Sequence, residues 1–294
     1  PVITLIRKLT GSKEPVTVLQ NSKKSGDRFV LSDFSRTYCQ RYLLSLLPEY
    51  IWGFLLSNHV DLLAKLIPGT KPLAKFGEVN ATTTAAEADE YGQYLTEKNK
   101  SECLKVVNTG TIDRYVSQWG NIEMTHARER YLTPYLPLKA AGVNKRRKEM
   151  YKLPKVIFAK MAKTCEALID TFGEFASFNT NCFYRPTDDL DIRFVGAFCN
   201  SKLFMFFYTQ FFSALRMSGG YFQFQAPQLR VVPFKCPTPN EQASIAALAD
   251  RIIKAKRTNP DADTSSIEAE IDLLIYKLFA LTPDEANIVE EAIR

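Results

Sequence analysis

Residues 221–225 alternate apolar and polar side chains with the two-residue period of a β-strand. Phe222 and Phe224 share one face of this segment, whereas Tyr221, Gln223 and Gln225 share the other. We therefore predict a short strand whose phenylalanines face the core and whose glutamines are free to form hydrogen bonds.

A glycine pair precedes this strand and follows a segment rich in aromatic residues. Gly219 and Gly220 have no side chains, so their backbone amides can closely approach a large anion, and Arg216 and Ser218 can hold a phosphate or a guanine edge. The pattern fits nucleic-acid contact, but it fits equally well a tight turn that caps the preceding helix.

The C-terminal part of the chain has a different pattern, with apolar residues at helical spacing over 245–253 and 267–278. Residues 238–241 and 282–285 both read Thr-Pro-Asx-Glu, which predicts a helix N-cap, a proline in the first turn and a capping-box glutamate. We expect these helices to pack on the rest of the chain or on another subunit.

The N-terminal part of the chain predicts hairpins, from short β-branched runs at 2–7 and 16–19 and an apolar run at 29–31. Apolar residues at helical spacing follow at 38–56 and 60–67, and Pro68-Gly69 predicts the end of the second helix. From 70 to 184 the pattern is short strands between hydroxyl-rich loops, with a hairpin turn at 171–174. The predicted class is α+β: a domain with a mixed sheet, flanking helices and a helical C-terminal tail. The predicted units are 1–36 (terminal strands of a preceding domain), 37–69 (helical linker), 70–236 (mixed-sheet domain) and 237–294 (helical tail).

The chain has 294 residues, of which 46% are hydrophobic, so it can bury a sizeable core as a soluble globular protein. The net charge of +6 is unevenly distributed, because residues 241–294 carry 11 acids against 6 bases. An anionic partner would therefore dock on the first 240 residues.

The densest basic run, 139–163, has nine Lys and Arg side chains and one acid, Glu149. Such a run is either a solvated loop or a binding surface. A strand that starts after Pro154 would expose Lys160 and Lys163 at its end, where a groove could use them.

Catalytic and metal-binding motifs are absent from the sequence. The six cysteines form no Cys-x-x-Cys pair and there are only two histidines, which argues against a zinc site. No acid is followed two positions later by lysine, as the common metal-dependent nuclease site requires. The sequence also has no glycine-rich phosphate-binding loop. Asp188, Asp189 and Asp191 are better explained as acids at the start of a helix than as metal ligands. The thiols indicate a reduced, cytoplasmic protein, and the polar residues within 194–217 argue against a membrane span. We expect a binder rather than a catalyst.

Four segments, taken in order, resemble the C-terminal target-recognition domain of TaqI-like DNA adenine methyltransferases, including fused type IIG restriction-modification enzymes. They are Lys105–Tyr115, Lys155–Lys160, Asn200–Phe204 and Gly219–Leu229. The resemblance extends from about residue 50 to the end of the chain. It implies that 70–236 is a DNA target-recognition domain and that 1–36 are the terminal strands of a truncated methyltransferase catalytic domain.

Enzymes of this family flip an adenine and methylate it with S-adenosylmethionine, using an Asn/Asp-Pro-Pro-Tyr/Phe motif. That motif is not found here, so the resemblance implies no cofactor in this chain and S-adenosylmethionine in the parent's catalytic domain. It implies sequence readout of double-stranded DNA, for which the candidate residues are Thr82, Thr83, Arg114, Tyr115, Lys160, Lys163, Arg216, Ser218, Gly219, Gly220, Tyr221, Gln223 and Gln225.

The resemblance implies two partners, double-stranded DNA and the protein's own N-terminal methyltransferase domain, and no membrane. Three alternatives stay open: a specificity-type module that docks a separate catalytic subunit, a self-sufficient DNA-acting enzyme with an unrecognised site, and self-association through the C-terminal helices. The parent would be a site-specific adenine methyltransferase, with or without a fused restriction endonuclease.

Overall fold

A computed structural model describes residues 57–99, 102–139, 141–187 and 189–293, the backbone of two strands at 16–21 and 34–39, and Ser45 and Phe54. Several small sheets and helices are mixed along the chain, so the predicted α+β class is confirmed. No helix among these residues is both long and apolar enough to cross a membrane.

The strands are β1 Val16–Asn21, β2 Phe34–Cys39, β3 Lys71–Pro72, β4 Glu78–Ala81, β5 Cys103–Asn108, β6 Met124–His126, β7 Glu129–Tyr131, β8 Tyr135–Pro137, β9 Lys155–Phe158, β10 Met161–Ala162, β11 Ala167–Asp170, β12 Phe175–Phe178, β13 Asn181–Tyr184, β14 Phe222–Gln223 and β15 Pro233–Phe234. The helices are α1 Val60–Leu66, α2 Ala85–Gly92, α3 Lys145–Lys152, α4 Ile192–Cys199, α5 Lys202–Phe212, α6 Ala226–Val231, α7 Pro239–Thr258, α8 Ser265–Leu278 and α9 Pro283–Glu291.

A four-stranded antiparallel sheet, in the order β11-β9-β13-β4, separates two hydrophobic cores. On β9, Val156 and Phe158 pack into the core formed with the helices, while Ile157 and the following Ala159 pack into the core formed with the β12-β5-β8 sheet, α2 and α3; Ala159 comes directly after the strand. Both faces of β9 are buried, which explains why its sequence is a continuous apolar run after Lys155.

The Lys155 side chain is fully buried and forms an ion pair with Asp170, with 2.5 Å between Nζ and Oδ2. Asp170 also accepts hydrogen bonds from the backbone N–H groups of Glu174 and Phe175. This carboxylate therefore fixes the turn at 171–174. The prediction of a hairpin there was wrong, because β11 pairs with β9 whereas β12 pairs with β5, so the turn joins two different sheets.

The predicted helix starts in the tail are confirmed, since Thr238 and Thr282 each form a capping box with the glutamate three residues later. Helices α7, α8 and α9 pack in the same core as α1 and α4–α6. This core contains residues from both sides of the predicted domain boundaries near residues 69 and 236. Those boundaries stay predictions.

Near the N-terminus, β1 agrees with the strand predicted at 16–19, and α1 agrees with the helix predicted at 60–67. The predicted helix at 38–56 is wrong at its start, because Tyr38 and Cys39 belong to β2, which pairs with β1. The predicted strands at 2–7 and 29–31 lie outside the described residues, as does Asp188.

Candidate nucleic-acid interface

Antiparallel pairing of β10 with β14 brings together two segments that are about sixty residues apart in sequence. Met161 lies opposite Gln223, and the carbonyl oxygen of Lys160 accepts a hydrogen bond from the Phe224 N–H at 2.9 Å. The exposed Lys160 and Lys163 therefore lie next to the glycine turn. We call residues 160–163 and 215–225 together the recognition tip.

The glycine turn has an exposed Gly219 and a half-buried Gly220, and both are left-handed, with φ of 79° at Gly219 and 83° at Gly220. The Met217 N–H donates to the Tyr221 carbonyl at 2.8 Å, which closes the turn. A Cβ atom added at Gly220 would meet no atom within 4 Å, so the outer side of the turn is open. Ser218 is exposed beside it.

Aromatic rings, rather than carboxylates, position two cations of the recognition tip. The Arg216 guanidinium carbon lies 4.4 Å from the centre of the Phe222 ring, and Lys163 Nζ lies 5.6 Å from the centre of the Tyr221 ring. Among the described residues, no salt bridge involves Lys160, Lys163 or Arg216. These charges are therefore available to an anion.

The two glutamines predicted to read bases are half-buried and contact each other. Gln225 Nε2 donates to Gln223 Oε1, and Gln223 Nε2 donates to the Met217 thioether at 2.9 Å. The buried positions of Phe222 and Phe224 confirm the predicted alternation. The backbone of this short strand is anchored from below, because the Tyr208 hydroxyl donates to the Gln223 carbonyl at 2.6 Å.

Three other candidates are buried and already bonded within the protein. The Thr82 hydroxyl contacts Thr180, Thr83 Oγ1 accepts from the Asn179 N–H, and Tyr115 is 1% exposed. DNA contacts only accessible atoms, so we leave these residues out of the proposed interface.

Arg114 connects the recognition sheets to the helical tail. Its guanidinium donates to Glu268 Oε2 on α8, with Nε at 3.0 Å, and a quarter of the side chain is exposed. Burial alone would lower the pKa of Arg114, but the adjacent Glu268 carboxylate raises it. This contact satisfies the guanidinium within the protein, so Arg114 also stays outside the proposed interface.

Only part of the basic run at 139–163 is available to an anion. Lys145 and Arg146 are exposed at the start of α3, before β9, whereas Lys160 and Lys163 are exposed after β9. Between them, Lys155 is buried, and Arg147 forms an ion pair with Glu87. The run therefore contributes two exposed groups of cations that are separate in sequence. Arg147 donates to the Ala81 carbonyl, and Ala81 pairs with Asn181, which in turn pairs with Phe158 at the end of β9, so the start of α3 lies at the same end of the central sheet as Lys160.

Sequence reasoning missed the apolar part of the recognition tip. Met161, Leu215 and Met217 are 45%, 58% and 41% exposed, which is unusual for such side chains. Their position around a glycine turn is a signal that could have identified them.

Among the described residues there is no group of three or more acids, histidines and cysteines that could hold a metal ion.

Residues 94–234 match the TaqI-like C-terminal specificity domain. The fold is similar to that of the type IIG restriction endonuclease BpuSI, with a TM-score of 0.50 and 9% sequence identity over 95% of this chain. The similarity covers 39% of BpuSI, so the chain spans about two fifths of that enzyme's length. No curated protein matches the chain.

Proposed function

We propose that the chain recognises a specific sequence in double-stranded DNA as the target-recognition part of a restriction-modification enzyme, and the match of residues 94–234 to the TaqI-like C-terminal specificity domain supports this proposal. The whole enzyme would methylate adenine at that DNA sequence, as a site-specific adenine methyltransferase. S-adenosylmethionine and the catalytic motif would then belong to another part of the protein.

The observation that carries the proposal is the composition of the recognition tip. Cations without carboxylate partners lie beside amide groups on one exposed turn. Lys160, Lys163 and Arg216 are suited to phosphates, because Lys and Arg supply most of the salt-dependent affinity for DNA. Gln223 and Gln225 are suited to base edges, because a glutamine amide can pair bidentately with adenine.

The fold places these groups on a rigid support. The Asn181 side-chain amide donates to the Phe224 carbonyl at 2.8 Å from the central sheet, and the Lys160 N–H donates to Thr109 Oγ1 at 3.1 Å. Both segments of the tip are therefore tied to the rest of the protein, one at Asn181 of β13 and the other at Thr109 just after β5, so a base-reading side chain keeps its position when DNA binds.

The first test measures the affinity for random duplex DNA as a function of salt. Three phosphate contacts predict a log-log slope of about −2.7, since each contributes about −0.9 for B-DNA. Lys163→Gln should reduce the magnitude of the slope by about 0.9 for every sequence. Lys254→Gln removes an equal charge from an exposed position on α7 and should leave the slope unchanged.

The second test selects preferred sites from a random duplex library. Gln223→Ala and Gln225→Ala should relax the preference at individual positions, each by about 1–3 kcal/mol. A flat salt response combined with no enriched sequence would contradict the proposal. Incubating the chain with duplex DNA and S-adenosylmethionine should give no methyl transfer, and turnover would instead support the self-sufficient enzyme.

A further inference from the structure

A two-stranded ribbon, formed by β6 and β7, ends in an exposed arginine. His126 of β6 pairs with Glu129 of β7, so only Ala127 and Arg128 form the loop between the strands. Both loop residues are exposed, and neither belongs to the recognition tip. We call residues 124–131 the ribbon.

The loop of the ribbon has a costly backbone conformation. Ala127 and Arg128 are both left-handed, with φ of 49° and 71°. A two-residue loop with two left-handed residues is typical of a type I′ turn, which usually contains Asn-Gly because a Cβ atom disfavours this conformation. Residues in such conformations are concentrated at functional sites. The loop therefore has an arginine where glycine would stabilise the turn, which indicates a function for the arginine side chain.

The base of the ribbon is fixed to the core. Met124 is buried, and the His126 ring centre lies 5.3 Å from that of Phe178. The Asn108 side-chain amide donates to the Thr125 carbonyl at 3.1 Å. The arginine therefore stands on a short, well-anchored support, as a side chain that reads bases requires.

The ribbon lies beside the recognition tip. Asn108, the last residue of β5, contacts the ribbon, and the next residue, Thr109, accepts a hydrogen bond from the Lys160 N–H at 3.1 Å. Two consecutive residues thus connect the two elements. Consecutive Cα atoms are about 3.8 Å apart and the major groove is about 12 Å wide, so a duplex bound at the recognition tip also reaches the ribbon.

The charges of the ribbon suit a base pair better than the phosphate backbone. Arg130 pairs with Glu123 at 3.5 Å, whereas Arg128 and the adjacent Glu129 form no salt bridge within the part of the chain that the structure describes. With Arg130 paired, the ribbon offers the phosphates one cation and one acid, which gives little net attraction. An arginine, however, donates to O6 and N7 of guanine, and a carboxylate accepts from N4 of cytosine. Arg128 and Glu129 together therefore match the major-groove edge of a G·C pair.

We infer that the ribbon enters the major groove beside the recognition tip and that Arg128 reads a guanine there. A two-stranded β-ribbon fits the major groove of B-DNA. The inference rests on the proposed function and deepens it, because it assigns a specificity-determining residue and predicts one base of the target sequence. Glu129 accepts a hydrogen bond from the paired cytosine.

The first experiment selects preferred sites from a random duplex library with the unaltered chain, Arg128→Gly and Ala127→Gly. Glycine relieves the left-handed conformation at either position, so both variants should keep or raise the unfolding midpoint. Arg128→Gly should lose the preference for guanine at one position by at least about fivefold, the lower limit for one bidentate contact. Ala127→Gly is the matched control, because it changes the same turn without removing the guanidinium, and it should select the same sequence as the unaltered chain.

The second experiment replaces that guanine by 7-deazaguanine, which lacks the N7 acceptor. The replacement should weaken binding by the unaltered chain and by Ala127→Gly, and it should have no further effect on Arg128→Gly. A contact between Arg128 and a phosphate would not sense the missing nitrogen. The comparison therefore separates a base contact from a phosphate contact.

The inference is overturned if Arg128→Gly selects the same sequence as the unaltered chain, or if 7-deazaguanine leaves binding by the unaltered chain unchanged. It is also overturned if Arg128→Gly weakens all duplexes equally and reduces the magnitude of the salt slope by about 0.9, as the loss of a phosphate contact would. In each of these cases, sequence selection by the unaltered chain still supports the proposed function. If the unaltered chain selects no sequence, the proposed function fails and this inference fails with it.

Discussion

Replacing Lys155 by methionine tests the buried ion pair that anchors the start of β9. The Lys155 ammonium is 0% exposed and donates to Asp170 Oδ2 at 2.5 Å, to the Tyr151 carbonyl at 2.6 Å and to the Leu153 carbonyl at 3.3 Å. Methionine fills a similar volume but supplies no donor. We therefore expect the chain to keep its packing and lose the cation.

The magnitude follows from what remains after the substitution. Asp170 would stay buried, with two backbone N–H donors at 2.9 and 3.1 Å but no counter-charge. Removing one partner of a buried ion pair costs about 3–5 kcal/mol, chiefly because an uncompensated charge is left behind. We expect Lys155→Met to lower the free energy of unfolding by that amount.

Urea unfolding followed by far-ultraviolet circular dichroism measures this loss. Lys105→Met is the matched control, because Lys105 pairs with Glu174 at 3.1 Å but a third of each side chain is exposed, and such pairs contribute about 0–1 kcal/mol. The double variant Lys155→Met/Asp170→Asn should recover part of the loss by removing the charge. Equal losses in Lys155→Met and Lys105→Met would refute the reasoning.

Three further predictions concern packing, pH and the helical tail. Gly196→Val should lower the unfolding free energy by about 1–3 kcal/mol in urea titrations, because a Cβ atom there would lie 2.4 Å from Ile169 Cγ1. Burial raises the pKa of Asp272 to about 6, so the folded state binds this proton more tightly than the unfolded state does. The free energy of unfolding should therefore fall as the pH rises from about 4 to 6, by at most about 3 kcal/mol. Asp272→Asn should flatten that dependence in unfolding midpoints measured across this range. Arg114→Gln should lower the unfolding free energy by about 1–3 kcal/mol through the loss of the Glu268 pair, yet leave the salt slope of DNA binding unchanged.

Each of these predictions has a control and a contrary result. Ala247→Val introduces the same valine side chain on an exposed face of α7 and should cost under about 0.7 kcal/mol, so an equal cost at residue 196 would contradict the packing argument. Asp261→Asn, at an exposed acid, should leave the pH dependence intact, and a change as large as that in Asp272→Asn would contradict the assignment. A reduced salt slope in Arg114→Gln would return Arg114 to the DNA interface.

The local features of the chain followed from its sequence. Thr238 and Thr282 begin helices as predicted, Gly219 and Gly220 form the turn, and the strand after it buries its phenylalanines. Each of these features depends on interactions within about four residues, such as a capping hydrogen bond, an allowed backbone angle or the alternation of side chains along a strand. The α+β class followed for the same reason, because it is a sum of such local patterns.

The partners of individual side chains were decided only by the tertiary structure. Lys160 and Lys155 have the same chemistry and lie five residues apart, yet one is exposed at the recognition tip and the other is buried against Asp170. Likewise Arg114, predicted to face DNA, contacts Glu268, which is 154 residues away in sequence. No short-range rule identifies such partners, because the packing of sheets and helices on two cores determines which distant segments meet.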